Sequence, residues 1–138
     1  MGTLKDDIES SSNWIATALS SSGYNADFSL SSLKAIDQFF EMNSAEGRPT
    51  PGGLLSEDTG SRLFALGSYV GEVLRRLSDG QWVADDNDPR GEINITLKSA
   101  SGLEAWPVQK VMKRLKNGSG DSIYVYGLGF LKHSGIEI

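Results

Sequence analysis

The polar residues best placed to contact a ligand or a partner lie between Leu66 and Trp82, a stretch with helical spacing. Tyr69, Glu72 and Arg76 stand at positions i, i+3 and i+7, which places them in one column on a helix surface. Glu72 and Arg76 also have the i, i+4 spacing of a favourable ion pair. Such a column is typical of a solvated ion pair, and it also suits a contact with a ligand or a partner protein. We name as candidate contact residues Tyr69, Glu72, Arg76 and Trp82.

A second candidate contact is the acidic stretch of residues 85–92, whose aspartates are Asp85, Asp86 and Asp88. An EF-hand loop started at Asp86 would have Arg90 at its fifth position and Leu97 at its twelfth, where side-chain oxygen ligands are required. The spacing therefore excludes an EF-hand. A solvated turn between strands is the simplest interpretation, and an irregular cation site is an alternative. The stretch also suits docking to a basic patch on a partner protein.

The residue types needed for nucleophilic or metal chemistry are scarce in this chain. It contains no cysteine and a single histidine, His133, so neither thiolate zinc sites nor multi-histidine metal sites can form. No Gly-x-Ser-x-Gly elbow precedes His133, and no glycine pair is followed by the lysine or helix start of a phosphate cradle. We expect no catalytic residues, no metal and no cofactor, and hence a binding role rather than an enzymatic one.

Length and charge set the class of protein. The 138 residues suit one domain, which we expect to span residues 1–138. The net charge of −5 argues against a grip on nucleic-acid phosphates and favours a basic protein partner. No apolar run approaches the roughly 20 residues that cross a bilayer, and the first six residues include no apolar signal-peptide stretch. We expect a cytoplasmic protein that binds neither nucleic acid nor a membrane.

The first part of the chain has the spacing of helices. Apolar residues recurring every three to four positions predict three of them, over residues 4–21, 29–42 and 56–78. The second begins with Ser29 as N-cap and a staple between Phe28 and Leu33. In the third, Gly67 and Gly71 each cost about 1 kcal/mol relative to alanine, which indicates that another backbone comes close to them.

After residue 80 the apolar spacing changes to two, which predicts strands over residues 81–84, 92–98, 103–106 and 122–131. A helix interrupts them from Pro107 to Gly118, with a solvated face formed by Lys110, Lys113, Arg114 and Lys116. The order ααα-βββ-α-β predicts an α+β fold, in which three N-terminal helices precede a small, mostly antiparallel sheet with one further helix. The last strand, with Tyr124 and Tyr126 on one face, is a candidate edge for a homo-oligomer.

Three segments together resemble a family of small bacterial domains to which no biochemical activity is assigned. The resemblance covers about residues 25–130 and rests on Phe28-Ser29-Leu30-x-Ser32-Leu33-x-x-Ile36-Asp37, Leu66-Gly67-x-Tyr69-x-Gly71-Glu72-Val73-x-Arg75-Arg76 with Gly80-x-Trp82, and Pro107-x-x-x-Val111-x-x-Arg114-Leu115-x-Asn117-Gly118-x-x-Asp121-Ser122. It implies a bacterial, cytoplasmic, single-domain protein and supplies no catalytic residues. The chain is also similar to short acidic proteins that serve as immunity partners of toxins.

Two functions follow from these observations. The first is a non-catalytic protein-binding domain, immunity-like in character, that presents acidic and aromatic surface to a basic partner. The alternative is a small-ligand-binding domain or an enzyme that uses a cleft between the third helix and the sheet.

Overall fold

The computed structural model describes residues 3–138, which form helices packed around one central helix, with two small sheets. The helices are α1 (Leu4–Ser21), α2 (Ser32–Asn43), α3 (Thr59–Ser78), the single turn α4 (Gly91–Asn94), α5 (Pro107–Asn117) and α6 (Ile123–His133). A two-stranded antiparallel sheet joins β1 (Ser44–Ala45) to β2 (Arg48–Pro49). A three-stranded antiparallel sheet has the order β3 (Gln81–Val83), β4 (Thr96–Lys98) and β5 (Glu104–Ala105). The α+β class is confirmed, although the order of elements differs from the prediction.

α3 is the centre of the core, since every residue from Leu63 to Leu74 is buried. A Cβ at Gly67 would lie 2.6 Å from Val108 Cα of α5, and one at Gly71 would lie 2.0 Å from the Trp82 ring. Both distances are shorter than side chains tolerate, so only glycine lets α5 and Trp82 approach this closely. The predicted approach of another backbone is confirmed at Gly67, whereas at Gly71 the approaching group is the Trp82 side chain.

α1 lies along α3 and has the predicted bounds. Its start is fixed by a capping box, in which Thr3 Oγ1 accepts from Asp6 N at 3.2 Å and Asp6 Oδ2 accepts from Thr3 N at 3.1 Å. Its apolar stripe of Ile8, Ile15 and Leu19 is buried, which compensates for the poor helix propensity of the serines between them.

The largest correction concerns residues 122–131, which form α6 rather than a strand. The residues buried in it have helical spacing, being Ile123, Gly127, Phe130 and Leu131. Ser122 Oγ accepts from Val125 N, and Asp37 of α2 accepts from Ile123 N at 2.8 Å and from Tyr124 N at 2.9 Å. These bonds satisfy helix donors that would otherwise be unpaired, and tertiary contact therefore overrides the strand propensity of the segment. The strand edge expected to support a homo-oligomer is absent from these residues.

Three smaller boundaries also differ. The spacing predicts one strand over residues 92–98, but α4 ends at Asn94 and only residues 96–98 pair in the sheet. The turn is closed because Asp88 Oδ2 accepts from Asn94 Nδ2 at 2.9 Å. α2 begins at Ser32 rather than beside Ser29, because residues 29–31 form a turn of their own. α3 begins at Thr59, after Asp58 in a left-handed conformation.

Candidate binding cleft

A cleft of about 640 Å³ lies where α1, α3 and β3 meet. Three of the four candidate residues named on α3 and after it line this cleft, namely Glu72, Arg76 and Trp82. α1 contributes Lys5, Ile8, Glu9, Ser12 and Asn13, while Arg75, Gly80 and Gln81 complete the wall. The structure thus brings together most of the predicted column, but it adds a charged wall from α1 that helical spacing within α3 could not reveal.

Glu72 is the anchor of the cleft wall. Its carboxylate accepts two bonds from Arg75, at 2.7 Å to Nε and 3.0 Å to Nη2. The Trp82 indole N–H donates to Glu72 Oε2 at 2.7 Å, and Arg76 Nε lies 3.4 Å from Oε1. The predicted Glu72–Arg76 pair therefore exists, but Arg75 is the closer partner. A carboxylate engaged on both oxygens positions its neighbours and is poorly suited to act as a base.

The pKa of Glu72 is lowered from its ordinary value of 4.5. Burial raises this pKa, but the hydrogen bonds from Arg75 and Trp82 and the charges of Arg75 and Arg76 outweigh burial. Glu72 is therefore ionised at neutral pH, and the ionised form is the one that holds the two guanidinium groups.

Acid should weaken this arrangement, and we expect Glu72→Gln to lose less stability on acidification than the wild type. Because the folded pKa is the lower one, the stabilisation from Glu72 is complete above about pH 4.5 and declines as pH falls through the folded value. Urea unfolding from about pH 7 to about pH 3 measures the difference. Glu57→Gln, which changes an exposed glutamate in the loop before α3, should keep the wild-type pH profile. Identical profiles for Glu72→Gln and the wild type would contradict the assignment.

Arg76 is held from two sides. Its guanidinium lies 3.9 Å from the centre of the Phe28 ring, in cation–π geometry, while its Nε faces Glu72. The side chain nevertheless remains 44% exposed. Within residues 3–138 no hydrogen bond uses its two terminal nitrogens, so these donors are left for a bound group.

Tyr69 does not join the cleft. Its side chain is fully buried, with the hydroxyl donating to Ser32 Oγ at 2.7 Å and accepting from Phe28 N at 3.0 Å. Burial raises the pKa of the phenol, and its bonds to Ser32 and Phe28 act in the opposite direction. Tyr69 thus lies in the core rather than in the exposed column predicted for it. Its hydroxyl joins α3 to Ser32 at the start of α2 and to the backbone of Phe28.

The three candidate aspartates also lie outside the cleft lining. Asp85 Oδ1 accepts from Asn87 N, and Asp88 Oδ1 accepts from Arg90 N, as in a self-stabilised turn. Asp86 Oδ1 accepts from Leu4 N at 2.7 Å, so it helps to satisfy the start of α1 across a separation of 82 residues. The pKa of Asp88 is lowered by its bonds from Asn94 and Arg90.

A polar network that the sequence analysis missed joins α2, α5 and α6. Arg114, expected on a solvated face, is only 2% exposed. It donates to Asp37 Oδ1 at 3.0 Å and to the exposed Glu41 at 3.1 Å. The available signal was its position three residues after Val111 and seven after Pro107, which is the spacing of the buried face of α5.

Within residues 3–138, no group of three or more His, Asp or Glu side chains is arranged to hold a metal ion. None of the helices in this range is long and apolar enough to cross a bilayer.

No protein-family model, curated protein or solved structure matches the chain. The resemblance to a family of small bacterial domains stays a prediction based on motifs.

Proposed function

We propose that this chain is a non-catalytic protein-binding domain, immunity-like in character, that docks a basic partner in the bacterial cytoplasm. The observation that carries the proposal is a surface assembled from two distant acidic segments. We call it the acidic face, and it comprises Asp6, Asp7, Asp85, Asp86, Asp88 and Glu92. The first turn of α1 supplies two of these residues, the turn after β3 supplies the three other aspartates, and α4 supplies Glu92.

Close contacts hold the two segments together. The Asp86–Leu4 hydrogen bond joins them, and a Cβ at Gly91 would lie 2.7 Å from Leu4 Cδ1. The two segments together carry six carboxylates and only two basic residues, Lys5 and Arg90. A preassembled surface of one sign favours encounter with a partner of the opposite sign and disfavours nucleic acid.

Neutralising part of the acidic face should weaken the interaction without disturbing the turn. Asp7→Asn with Glu92→Gln changes two exposed residues that accept no hydrogen bond from side chains or backbone in residues 3–138. We expect about fivefold weaker binding of the partner, because exposed ion pairs contribute roughly 0.2–1 kcal/mol each. The partner is obtained by affinity purification on the immobilised chain from host lysate at physiological salt, and its affinity is measured by titration.

The matched control removes the same charge elsewhere. Glu57→Gln with Glu137→Gln changes two exposed glutamates outside the acidic face. This double variant should bind the partner within about twofold of the wild-type affinity, because salt screens charges that lie far from the interface. A host lysate that yields no partner, or a partner bound equally by both double variants, would refute the proposal.

A second candidate function is the binding of a small ligand in the cleft. It is supported by the placement of Glu72, Arg76 and Trp82 in one cleft of about 640 Å³, large enough for a metabolite. This function and protein binding use different surfaces, so they do not exclude each other. A homo-oligomer remains compatible with either function.

A further inference from the structure

We infer that the cleft binds a small anion, by its phosphate or carboxylate group, on the outward edges of Arg75 and Arg76. This inference rests on the ligand-binding function proposed for the cleft and specifies the class of ligand. The charged side chains that line the cleft are three cations and two carboxylates, a net charge of +1. The whole chain has a net charge of −5, so the cleft stands out as a positive site on a negative protein.

The geometry prepares the two arginines for an anion. Glu72 engages only Nε and Nη2 of Arg75, whose side chain stays 36% exposed. Arg76 is oriented by the Phe28 ring and by Glu72, its side chain stays 44% exposed, and no hydrogen bond within residues 3–138 uses its terminal nitrogens. Guanidinium groups held in place lose little rotamer freedom on binding and match the planar fork of a carboxylate or phosphate.

The two remaining charges have opposite effects on such a ligand. Lys5 adds a flexible cation at the rim of the cleft. Glu9 opposes binding, because its negative charge already acts on Arg75. We therefore expect opposite effects on affinity from two substitutions. Removing the charge of Glu9 should strengthen the binding of an anion, whereas removing the charge of Arg76 should weaken it.

Trp82 provides the spectroscopic probe. Its indole N–H donates to Glu72 Oε2, which also pairs with Arg75, so an anion bound to Arg75 or Arg76 changes the electrostatic environment of this N–H. The chain has three tryptophans, and neither Trp14 nor Trp106 lines the cleft. In a ¹⁵N-labelled sample, the indole signal that is missing from Trp82→Phe is assigned to Trp82. The indole signals of Trp14 and Trp106 then act as internal references.

The experiment is a titration with sodium phosphate, and separately with sodium acetate, at ionic strength held constant with chloride. We expect a saturable shift of the Trp82 indole signal with at least one of these anions. Arg76→Gln should raise Kd about fivefold and Glu9→Gln should lower it about twofold, as expected for partly exposed charges. Arg48→Gln removes an exposed arginine on β2, outside the cleft, and should leave Kd unchanged.

The inference fails if neither anion gives a saturable shift, or if Arg76→Gln and Arg48→Gln bind with equal affinity. Should Arg76→Gln not fold, the tighter binding expected for Glu9→Gln decides the matter. The same Trp82 signal is then followed with glucose as a neutral compound and with putrescine as a cationic one. Saturable binding of these compounds without binding of anions would overturn the anionic ligand and keep the ligand-binding function, whereas a signal that responds to none of the compounds would overturn both.

Discussion

Replacing Asp37 with alanine should lower the free energy of unfolding by about 3–5 kcal/mol, because it removes the carboxylate that pairs with a buried arginine. Asp37 Oδ1 accepts from Arg114 Nε and from Ile123 N, and Oδ2 accepts from Ser122 Oγ and from Tyr124 N. Alanine would leave a guanidinium that is 2% exposed without this counter-ion, and it would leave two N–H groups at the start of α6 unpaired. Urea unfolding monitored by circular dichroism measures the loss.

Glu41→Ala is the matched control, because both carboxylates lie on α2 and contact the same arginine. Glu41 is 59% exposed and accepts from Arg114 Nη2 at 3.1 Å, so its removal should cost less than about 1 kcal/mol. Asp37→Asn, which keeps acceptor oxygen but no charge, should fall between the two alanine variants. Equal losses for Asp37→Ala and Glu41→Ala would show that burial does not govern the energy of this network.

The same network explains why the last third of the chain was predicted less well than the first. α1 is specified locally by its capping box and apolar stripe, so its bounds follow from sequence alone. α6 is not, since its β-branched and aromatic residues favour a strand and its first N–H groups depend on Asp37, 86 residues away. The spacing of residues 122–131 alone does not reveal that Asp37 is the tertiary partner of this segment.

The candidate site was also predictable only where its contacts lie within one helix. The placement of Glu72 and Arg76 on one helix face follows from periodicity, as does the small-residue spacing of Gly67 and Gly71. Periodicity does not predict that Arg75, rather than Arg76, is the main partner of Glu72. The position of the Glu72 carboxylate also depends on the hydrogen bond from the Trp82 indole, which lies beyond the end of the helix. The wall contributed by α1 depends on how two helices pack, which a single sequence leaves open.

Gly67→Ala should lower the free energy of unfolding by about 1–3 kcal/mol, although alanine is the better helix former by about 1 kcal/mol. The new Cβ would lie 2.6 Å from Val108 Cα, 2.7 Å from its Cγ2 and 3.0 Å from its backbone nitrogen. A side chain can rotate away from such a clash, but a backbone can move only if the whole of α5 is displaced from α3. Thermal or urea unfolding measures the loss.

Gly60→Ala tests the same substitution in the first turn of the same helix, where a Cβ would meet nothing within 4 Å. Here only helix propensity and the reduced freedom of the unfolded chain act, so the variant should be stabilised by about 0.4–1 kcal/mol. Changes of opposite sign in the free energy of unfolding at the two positions would show why residue 67 is glycine. The reason would be the close approach of α5 rather than a conformation that only glycine adopts. A stabilised Gly67→Ala variant would mean that α5 does not pack as closely against α3 as the 2.6 Å distance requires.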